Sequence, residues 1–468
     1  MPKEQHLTAG VTAATTGPAK GPTGFPAGGP DGSPAVSRRS FVAAAGAVAT
    51  VIVDPLARSA HAAGSDRLKV GLIGCGGRGT AAAMQAISAD PGAVLWSLAD
   101  PFPDRLQSGA GILGRAVEDK ATKDASFKER FDCPPERRFA GLDGYKQLID
   151  ACDVVLLTAP PGFRPLHLRA AVEAGRQVFA EKPMAVDAAG LRSVRDSVKI
   201  AADKKLSLVS GFCWRYSERM RDVMGRIKAG AIGPVRGVYT TYNASGFRGE
   251  NPRKPDWSDM EYYIRNWQYY TWLSGDHIVE QAVHSIDRMS WIMNDEPPTS
   301  VLCTGGREVR PNVPVGNNIF DHFCAAYEYT DGRRGFHMCR HFPGAANDNT
   351  DYVMGATGSA TIEGGNGPLE TVTDGVKWES AAPRNDMYQQ EHDELFAAIR
   401  AAKPVNDGEF MTNSTAMAIM ARMSAYTGQP VSWKQVWESK EDLSPPQWEL
   451  GSMPPPAPIP VPGRTKLI

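Results

Sequence analysis

One short motif places a lysine where it could act on a substrate hydroxyl group. Glu181-Lys182-Pro183 directly follows the apolar run 177–180, which has the composition of a buried strand. A lysine held at a strand end can donate a hydrogen bond to a hydroxyl, and partial desolvation can lower its pKa towards acid–base work. An ordinary surface lysine is the alternative. The fixed Pro183 and the strand-end position favour a functional role for Lys182.

A second motif offers a histidine base. Over residues 275–294 the apolar side chains recur at helical spacing, so Glu280, His284 and Asp287 fall on one polar stripe at i, i+4 and i+7. A carboxylate one turn before a histidine can fix its tautomer and orientation, as a general base requires. The alternative is a solvated helix face that carries a structural histidine.

A glycine-rich turn indicates the cofactor. Gly74, Gly76 and Gly79 fill the pattern G-x-G-x-x-G between an apolar strand and an Ala-rich helical stretch. The first glycine permits the tight turn, the second lets a diphosphate approach the backbone, and the third lets the helix pack closely on the strand. The turn residues that we predict to bind a dinucleotide are Gly74, Cys75, Gly76, Gly77, Arg78 and Gly79.

The end of the next strand favours NAD. The apolar run 93–99 ends at Asp100, close to the spacing at which a carboxylate binds the adenosine ribose. Pro101 follows it, so no arginine or small hydroxyl residue stands beside Asp100 to receive a 2′-phosphate. Arg105, about one helical turn further on, keeps NADP as the alternative.

A proline-stiffened loop completes the predicted cofactor contacts. Thr158, Pro160 and His167 follow a further strand, where the chain would pass the nicotinamide or its ribose. A simple strand-ending turn explains the same residues equally well. We therefore include them as candidates on position alone.

These residues need a scaffold of alternating strands and helices. The predicted strands are 68–73, 94–99, 154–158, 177–180 and 206–209, and the predicted helices are 80–88, 145–151, 165–174 and 188–204. Such alternation predicts an α/β fold in which a Rossmann domain, a doubly wound parallel sheet, spans residues 66–212. Its ligands should lie at the carboxyl ends of the strands.

The pattern changes beyond residue 232. Longer alternating runs cover 238–242, 300–304, 320–329, 335–340 and 351–362, and helical patterns cover 391–402 and 414–426. They predict a C-terminal α+β domain over 213–440 with a large, mostly antiparallel open sheet. The tail 441–468 is so rich in proline that we expect it to be extended and able to wrap over a neighbouring surface.

The segment 257–272 indicates the substrate class. It interleaves tryptophan and tyrosine with polar side chains, and apolar faces beside polar tips suit sugar rings. Part of this set can equally pack as core or as a subunit interface. The candidate substrate-binding residues here and just downstream are Arg265, Trp267, Tyr270, Trp272, His277 and Asp287.

Residues 1–62 have the pattern of an export leader. The first 36 residues have almost no core-forming side chains, which predicts disorder. The paired Arg38-Arg39, the apolar run 42–53 and Ala60-His61-Ala62 follow the order of a twin-arginine signal peptide. A disordered basic linker is the alternative. The apolar run is too short for a permanent membrane anchor, so we expect a periplasmic or otherwise extracytoplasmic protein with the twin-arginine export machinery as a partner.

Export and cofactor constrain each other. The twin-arginine route carries folded proteins, whereas dinucleotides are made and recycled in the cytoplasm. A protein that loads NAD before export cannot depend on fresh cofactor afterwards. We therefore expect a tightly bound dinucleotide that is reduced and reoxidised in place.

Composition bears on the number of domains and on the binding of nucleic acid and metal. A chain of 468 residues predicts more than one domain, and a net charge of -1 gives no electrostatic case for a nucleic-acid partner. The seven cysteines include no C-x-x-C and suggest no zinc spacing, so no metal is expected. We expect most of them to be free and structural, although an exported protein can form disulfides.

Three motifs occur together in this chain: the glycine-rich turn, Glu181-Lys182-Pro183 and the Glu-x-x-x-His-x-x-Asp pattern that ends at Asp287. Together they resemble the glucose–fructose oxidoreductase, inositol dehydrogenase and MocA (Gfo/Idh/MocA) family. The resemblance runs from about Arg67 to Trp433 and implies a Rossmann domain followed by an α/β domain whose open sheet often forms an oligomer interface. We therefore expect a homo-oligomer. The segments that add to the resemblance are Gly211-Phe212 with Arg215-Tyr216, Gly355-Ala356-Thr357-Gly358 and Ala425-Tyr426-Thr427-Gly428.

The resemblance also implies residue roles. In dehydrogenases of this family a lysine and an Asp-x-x-x-His pair serve the reacting hydroxyl, which carries these roles to Lys182 and His284. Glu280 stands where the family has aspartate, so its orienting role is less secure. We count Glu181 and Arg215 among the cofactor-binding residues.

Three functions remain open. The leading hypothesis is an exported NAD(P)-dependent oxidoreductase that transfers hydride between a sugar or polyol hydroxyl carbon and a tightly bound nicotinamide, with His284, Lys182 and Glu280 handling the hydroxyl proton. The second is a redox-neutral enzyme that cleaves glycosides by transient oxidation, elimination of the aglycone and return of the hydride. The third is a non-catalytic sugar-binding protein with structural NAD.

Overall fold

The computed structural model of the chain describes residues 66–247, 249–310, 317–364 and 367–468. The predicted leader and twin-arginine segment lie outside the described residues. Within the described ranges, no helix has the length and apolar character needed to cross a bilayer.

The first sheet is built from apolar strands that need cover on both faces. In β1 (Leu68–Ile73) every residue except Lys69 is buried, as expected for the centre of a parallel sheet. The other strands are β2 (Ala93–Asp100), β3 (Arg138–Ala140), β4 (Val154–Leu157), β5 (Gln177–Ala180) and β6 (Leu208–Ser210). They pair in parallel in the order β3-β2-β1-β4-β5-β6, which confirms the predicted doubly wound fold. The order reverses between β1 and β4, where ligands of such folds bind.

Five helices accompany this sheet. They are α1 (Gly77–Ala89), α2 (Pro103–Ala121), α3 (Gly144–Ala151), α4 (Arg164–Glu173) and α5 (Ala188–Asp203). The sequence pattern did not predict α2, because Gly109, Gly111 and Gly114 lower its helix propensity. One of these glycines has a packing reason. A Cβ on Gly109 would lie 2.8 Å from the Cβ of Cys75, so glycine lets α2 approach the turn after β1.

The second sheet is mostly antiparallel, as predicted. Its strands are β7 (Val235–Ala244), β8 (Ser300–Gly306), β9 (His322–Glu328), β10 (Arg334–His341), β11 (Thr350–Gly355), β12 (Gly358–Glu363), β13 (Leu369–Thr373), β14 (Val376–Glu379) and β15 (Val431–Ser432). Their order is β14-β13-β12-β11-β7-β10-β9-β8-β15, in which β7 and β10 form a parallel pair. The single strand predicted over 351–362 is wrong, since a turn at Ala356 and Thr357 divides it into β11 and β12.

Eight further helices follow the first domain in the described part of the chain. They are α6 (Glu218–Lys228), α7 (Asp259–Arg265), α8 (Thr271–Ser274), α9 (His277–Glu280), α10 (Val283–Ile292), α11 (Met387–Arg400), α12 (Gly408–Thr427) and α13 (Trp433–Glu438). Helix α10 packs on β7 and α12 packs on β8, whereas α11 and α12 also contact α1 and α5 of the first domain. On the opposite face Leu302, Phe336, Tyr352 and Met354 are exposed.

The continuous helix predicted over 275–294 is interrupted between α9 and α10. The carbonyl of Glu280 would accept the amide of His284 in a regular helix. Instead it accepts Nζ of Lys182 at 2.6 Å, and the amide of His284 donates to the carbonyl of Gln281 at 3.3 Å. A lysine from the first domain therefore occupies the carbonyl that the helix would need, and the predicted single polar stripe is broken.

The proline-rich tail 441–468 contains no helix or strand and lies on both domains. The amide of Leu443 donates to Asp187 Oδ2 at the start of α5 (2.7 Å), and the amide of Met453 donates to Asp259 Oδ2 at the start of α7 (3.2 Å). The tail thus links elements that belong to different domains.

Candidate active site

The turn after β1 leaves space where a diphosphate must approach. Gly74 has φ +99°, and a Cβ there would lie 2.7 Å from the amide nitrogen of Ala159. A Cβ on Gly79 would lie 2.0 Å from the carbonyl oxygen of Gly74, which shows how closely α1 packs on the turn. Around Gly76 and Gly77, by contrast, no atom lies within 4 Å of an added Cβ. This open, glycine-lined start of α1 fits a dinucleotide.

The carboxylate at the end of β2 is held by the backbone. Asp100 accepts the amide of Cys75 on Oδ2 (2.9 Å) and the amide of Phe102 on Oδ1 (3.0 Å). Burial raises its pKa against the lowering effect of these hydrogen bonds. Asp100 and Arg105 both line the cavity, whereas Cys75 is buried and does not line it.

Two residues predicted to bind substrate lie instead at the Asp100 end of the cavity. Arg265, the last residue of α7, places its guanidinium 4.1 Å from the ring centroid of Phe102 and pairs with Asp104 (2.8 and 3.0 Å). Trp267 lines the cavity close by in sequence. Because Phe102 and Asp104 follow Asp100, Arg265 lies over the predicted adenosine side of the site, and we refer to Arg265 and Trp267 together as the roof.

Lys182 and His284 both line the end of the cavity that lies away from Asp100. Besides its bond to the Glu280 carbonyl, Lys182 Nζ lies 3.5 Å from Glu280 Oε1. Burial would lower the pKa of Lys182, but the carboxylates of Glu280 and Glu181 outweigh it and raise the pKa. The pKa of His284 is well below its ordinary value, chiefly because of burial and then because of nearby cations such as Lys182. Within the described residues, Nδ1 of His284 is buried without a hydrogen-bond partner.

Arg78 connects the glycine-rich turn to this lysine. Its Nε donates to Glu181, its Nη1 to Gln85 (2.7 Å) and its Nη2 to Glu391 (2.7 Å). Glu181 in turn accepts the backbone amide of Lys182 on Oε2 at 3.2 Å. Arg78 and Glu181 line the cavity as predicted for cofactor contacts, but their charged groups also hold each other and fix the position of Lys182.

The loop after β4 supports the turn. Thr158 Oγ1 donates to the carbonyls of Ile73 (2.9 Å) and Gly74 (2.8 Å), and Pro160 lines the cavity. His167 also lines it, with its ring centroid 4.5 Å from that of Tyr145. Burial lowers the pKa of His167 to about 3, so its imidazole is neutral.

Several predicted site residues lie away from the cavity. Arg215 pairs with Asp287 (2.8 Å) and Asp295 (2.6 Å), so the two predicted site residues Arg215 and Asp287 form a buried ion pair with each other. Asp287 also accepts Ser414 Oγ at 2.7 Å. The remaining predicted residues that do not line the cavity are Cys75, Tyr270, Trp272 and His277; Tyr270 and His277 are fully buried.

One cavity of about 460 Å³ joins these groups from Asp100 to His284. Its lining includes residues that the sequence reasoning missed, namely Phe102, Leu142, Tyr145, Arg164, Gly211 and Tyr388. Arg164 stands three residues after Pro161, in the loop already singled out, so its position was available as a signal. Tyr388 comes from α11, far along the chain, and no local pattern points to it.

Comparison with known proteins identifies the family. A family model described as an oxidoreductase family with an NAD-binding Rossmann fold matches residues 68–212. A second model, the C-terminal alpha/beta domain of the same oxidoreductase family, matches residues 225–432. The chain belongs to the Gfo/Idh/MocA oxidoreductase family. Its first domain is an NAD-binding Rossmann domain.

Individual relatives are distant. Inositol 2-dehydrogenase of Rhizobium meliloti (strain 1021) is 27% identical over 237 residues, which cover 51% of this chain and 58% of that protein. The chain thus spans little more than half the length of this curated relative.

Two solved structures share the fold. Aldose-aldose oxidoreductase from Caulobacter crescentus, complexed with glycerol, aligns with a TM-score of 0.60 and 17% identity over 78% of this chain and 99% of that chain. Levoglucosan dehydrogenase in complex with NADH and levoglucosan aligns with a TM-score of 0.59 and 18% identity over the same shares of the two chains.

Proposed function

We propose that the protein is an exported NAD(P)-dependent oxidoreductase that transfers hydride between a sugar or polyol hydroxyl carbon and a tightly bound nicotinamide cofactor. The observation that carries the proposal is the single cavity in which the glycine-rich turn, Lys182 and His284 meet. The named activity of inositol 2-dehydrogenase, a polyol oxidoreductase, supports the substrate class.

The environments of the two titratable groups support distinct roles. His284 is held neutral because burial lowers its pKa, so it can accept the proton of the reacting hydroxyl. Lys182 is held protonated because Glu280 and Glu181 raise its pKa, so it can donate a hydrogen bond to the same oxygen. Glu280 positions Lys182 through both its carbonyl and its carboxylate. NAD, when bound, supplies the acceptor for the hydride that leaves the carbinol carbon.

A tightly bound cofactor is part of the proposal. The roof formed by Arg265 and Trp267 lies over the adenosine side, where it would hinder release of a bound nucleotide. The name aldose-aldose oxidoreductase indicates that the protein of similar fold oxidises one aldose and reduces another. A cofactor that never leaves needs a cycle of this kind, closed by a second substrate or by the same one.

Export and self-association complete the proposal. The twin-arginine pattern supports an extracytoplasmic location, and the exposed Phe336, Tyr352 and Met354 on the open face of the second sheet support a homo-oligomer. Sedimentation of the wild type against Phe336→Lys tests the oligomer. A wild-type protein that sediments as a monomer would contradict the oligomer, and a substituted protein that keeps the oligomer mass would show that Phe336 does not form its interface.

The first experiment is to purify the mature protein without added nucleotide, denature it and identify released dinucleotide by mass. The native protein is then mixed with sugars, polyols and glycosides while nicotinamide absorbance is followed. Stoichiometric NAD that sugars reduce in place is the expected result. Release of reducing sugar without net reduction would favour the glycoside-cleaving alternative, and an empty protein with weak affinity for added NAD would contradict the proposal.

A further inference from the structure

One arginine on the cavity wall lacks a carboxylate partner. Arg164, Arg288 and Arg422 are the fully buried arginines among the largest buried side chains of the described chain. Arg288 pairs with Asp351 (2.5 Å) and Arg422 pairs with Glu441. Arg164 has no carboxylate within ion-pair distance in the part of the chain that the structure describes. Its Nη1 donates to the carbonyl of Leu157 (2.5 Å) and its Nε to the carbonyl of Pro183 (3.5 Å).

The charge of Arg164 has no opposite charge in contact with it among the described residues. Two neutral carbonyl groups satisfy hydrogen bonds but supply no counter-charge, and buried arginines are normally paired. Burial lowers the pKa of Arg164 to about 10, although the charge of Glu181, which is bonded to Arg78, acts in the opposite direction. Lys182, the neighbouring cation on the cavity wall, has Glu280 as its partner, and Arg78 has Glu181 and Glu391. Among the described cations at this end of the cavity, Arg164 is thus the one without a carboxylate at ion-pair distance.

The position of Arg164 separates it from the cofactor diphosphate. A dinucleotide crosses the sheet edge with its adenosine at Asp100 on β2, its diphosphate at the turn after β1 and its nicotinamide at β4. Arg164 contacts Leu157, the last residue of β4, and Pro183, which directly follows Lys182. The guanidinium thus lies between the end of β4 and the segment that carries Lys182, on the wall of the cavity. An oxidised nicotinamide ring is itself cationic and cannot be its partner.

We propose that Arg164 pairs with a carboxylate of the substrate, so that the preferred substrate is a sugar acid rather than a neutral sugar. The inference rests on the proposed oxidoreductase function and names the substrate class of that site. A guanidinium presents a planar fork that matches a carboxylate, and such a pair is strong inside a cavity that excludes water. The pair would hold the acid group while His284 and Lys182 serve a hydroxyl of the same molecule.

The decisive test compares matched acid and neutral substrates on the wild-type protein with its cofactor. Each aldose is paired with the uronic acid of the same configuration, and reduction of the bound nicotinamide is followed by absorbance. We expect at least one acid to have a KM at least tenfold below that of its neutral partner, with the difference shrinking as ionic strength rises. Equal or higher KM values for every acid would overturn the inference and leave the proposed function intact. No reduction by any compound would overturn both.

Variants identify the residue and the source of the anion. Arg164→Gln should bring the ratio of the two KM values towards one, and Arg164→Lys should retain part of the preference because it keeps the charge. Arg169→Gln, on the same helix but exposed and paired with Glu173, is the matched control and should leave the ratio unchanged. If Arg164→Gln instead loses its bound dinucleotide and keeps the ratio, the guanidinium serves a cofactor phosphate and the inference is wrong. If this variant does not fold, the wild-type comparison still decides.

Discussion

At the scale of single residues, the site assigns opposite charge states to two neighbouring groups. Lys182 lies beside two carboxylates that raise its pKa, whereas desolvation and then nearby cations lower the pKa of the partly buried His284. The histidine is therefore the group that can take a proton at neutral pH, and the lysine is the group that can give a hydrogen bond. Glu280 is important because its carbonyl and its carboxylate hold the ammonium group of Lys182 in place.

A pH profile follows from the lowered pKa of His284. A base loses activity as pH falls through its own pKa, so the acid limb of kcat/KM for sugar oxidation should lie below pH ~6.5, the ordinary histidine value. His284→Asn keeps a polar side chain of similar size but removes the base, and should lower kcat by about 10²–10⁴-fold. The measurement is the rate of nicotinamide reduction between pH 4.5 and 9.

The control for this prediction is His322→Asn, since His322 is a half-exposed histidine on β9 that lies outside the cavity. It should reproduce the wild-type rate and profile. If His284→Asn retains more than a tenth of the wild-type kcat, or if the acid limb stays at the ordinary histidine pKa, another group is the base.

At the scale of elements, the glycines of the turn after β1 divide into packing and binding roles. A Cβ on Gly79 meets the carbonyl of Gly74 at 2.0 Å and Oγ1 of Thr158 at 2.6 Å, whereas a Cβ on Gly76 meets nothing within 4 Å. Gly79→Ala should therefore lower the free energy of unfolding of the apoprotein by about 1–3 kcal/mol, as overpacking does. Gly76→Ala should change it by less than about 0.5 kcal/mol but weaken NAD binding at least tenfold, because the methyl group stands where the diphosphate approaches.

Urea denaturation of the apoproteins and calorimetric titration with NAD measure the two effects separately. Each variant is the control for the other. Equal loss of stability in both would show that the turn rearranges as a unit, and unchanged NAD affinity in Gly76→Ala would place the diphosphate elsewhere.

Local patterns predicted most of the first domain because its strands are apolar runs of the right length. They failed where a distant residue decides the local structure. The break between α9 and α10 depends on Lys182, 98 residues before Glu280, which takes the carbonyl that a continuous helix would use. Helix α2 was missed for a related reason, since Gly109 serves contact with the turn rather than helix propensity.

The candidate site likewise contains some residues that local patterns predicted correctly and others that they did not. The glycine-rich turn, Asp100, Lys182 and His284 were accessible from the sequence because motif spacing places them at strand ends or on a helix. Arg215 was predicted to bind the cofactor and Asp287 either to bind substrate or to be structural, and the structure pairs them with each other. A sequence pattern cannot distinguish such a charged pair from two groups that await a ligand. Arg265 was assigned to substrate, but its partner Asp104 fixes it at the adenosine side.

At the scale of the whole molecule, the tail holds the walls of the cavity together. Trp448 lies 5.0 Å from the ring of Phe163, which lines the cavity, and 6.4 Å from the ring of Trp272, in the segment that follows the roof. Further along, Met453 is bonded to the start of α7, whose last residue is Arg265. We expect release of a bound dinucleotide to require the roof to separate from the first domain, and the tail spans the two.

Trp448→Ala should therefore accelerate cofactor release without changing the chemistry. Loss of two aromatic contacts of about 0.5–1.5 kcal/mol each predicts roughly a tenfold faster dissociation of NAD. Exchange of bound NAD for labelled NAD measures this rate, and single-turnover reduction of the bound cofactor should stay unchanged. Leu450→Ala, an exposed position two residues away, is the matched control. If both variants exchange cofactor at the wild-type rate, the tail does not retain the nucleotide, and retention must come from Arg265 and its contact with Asp104 alone.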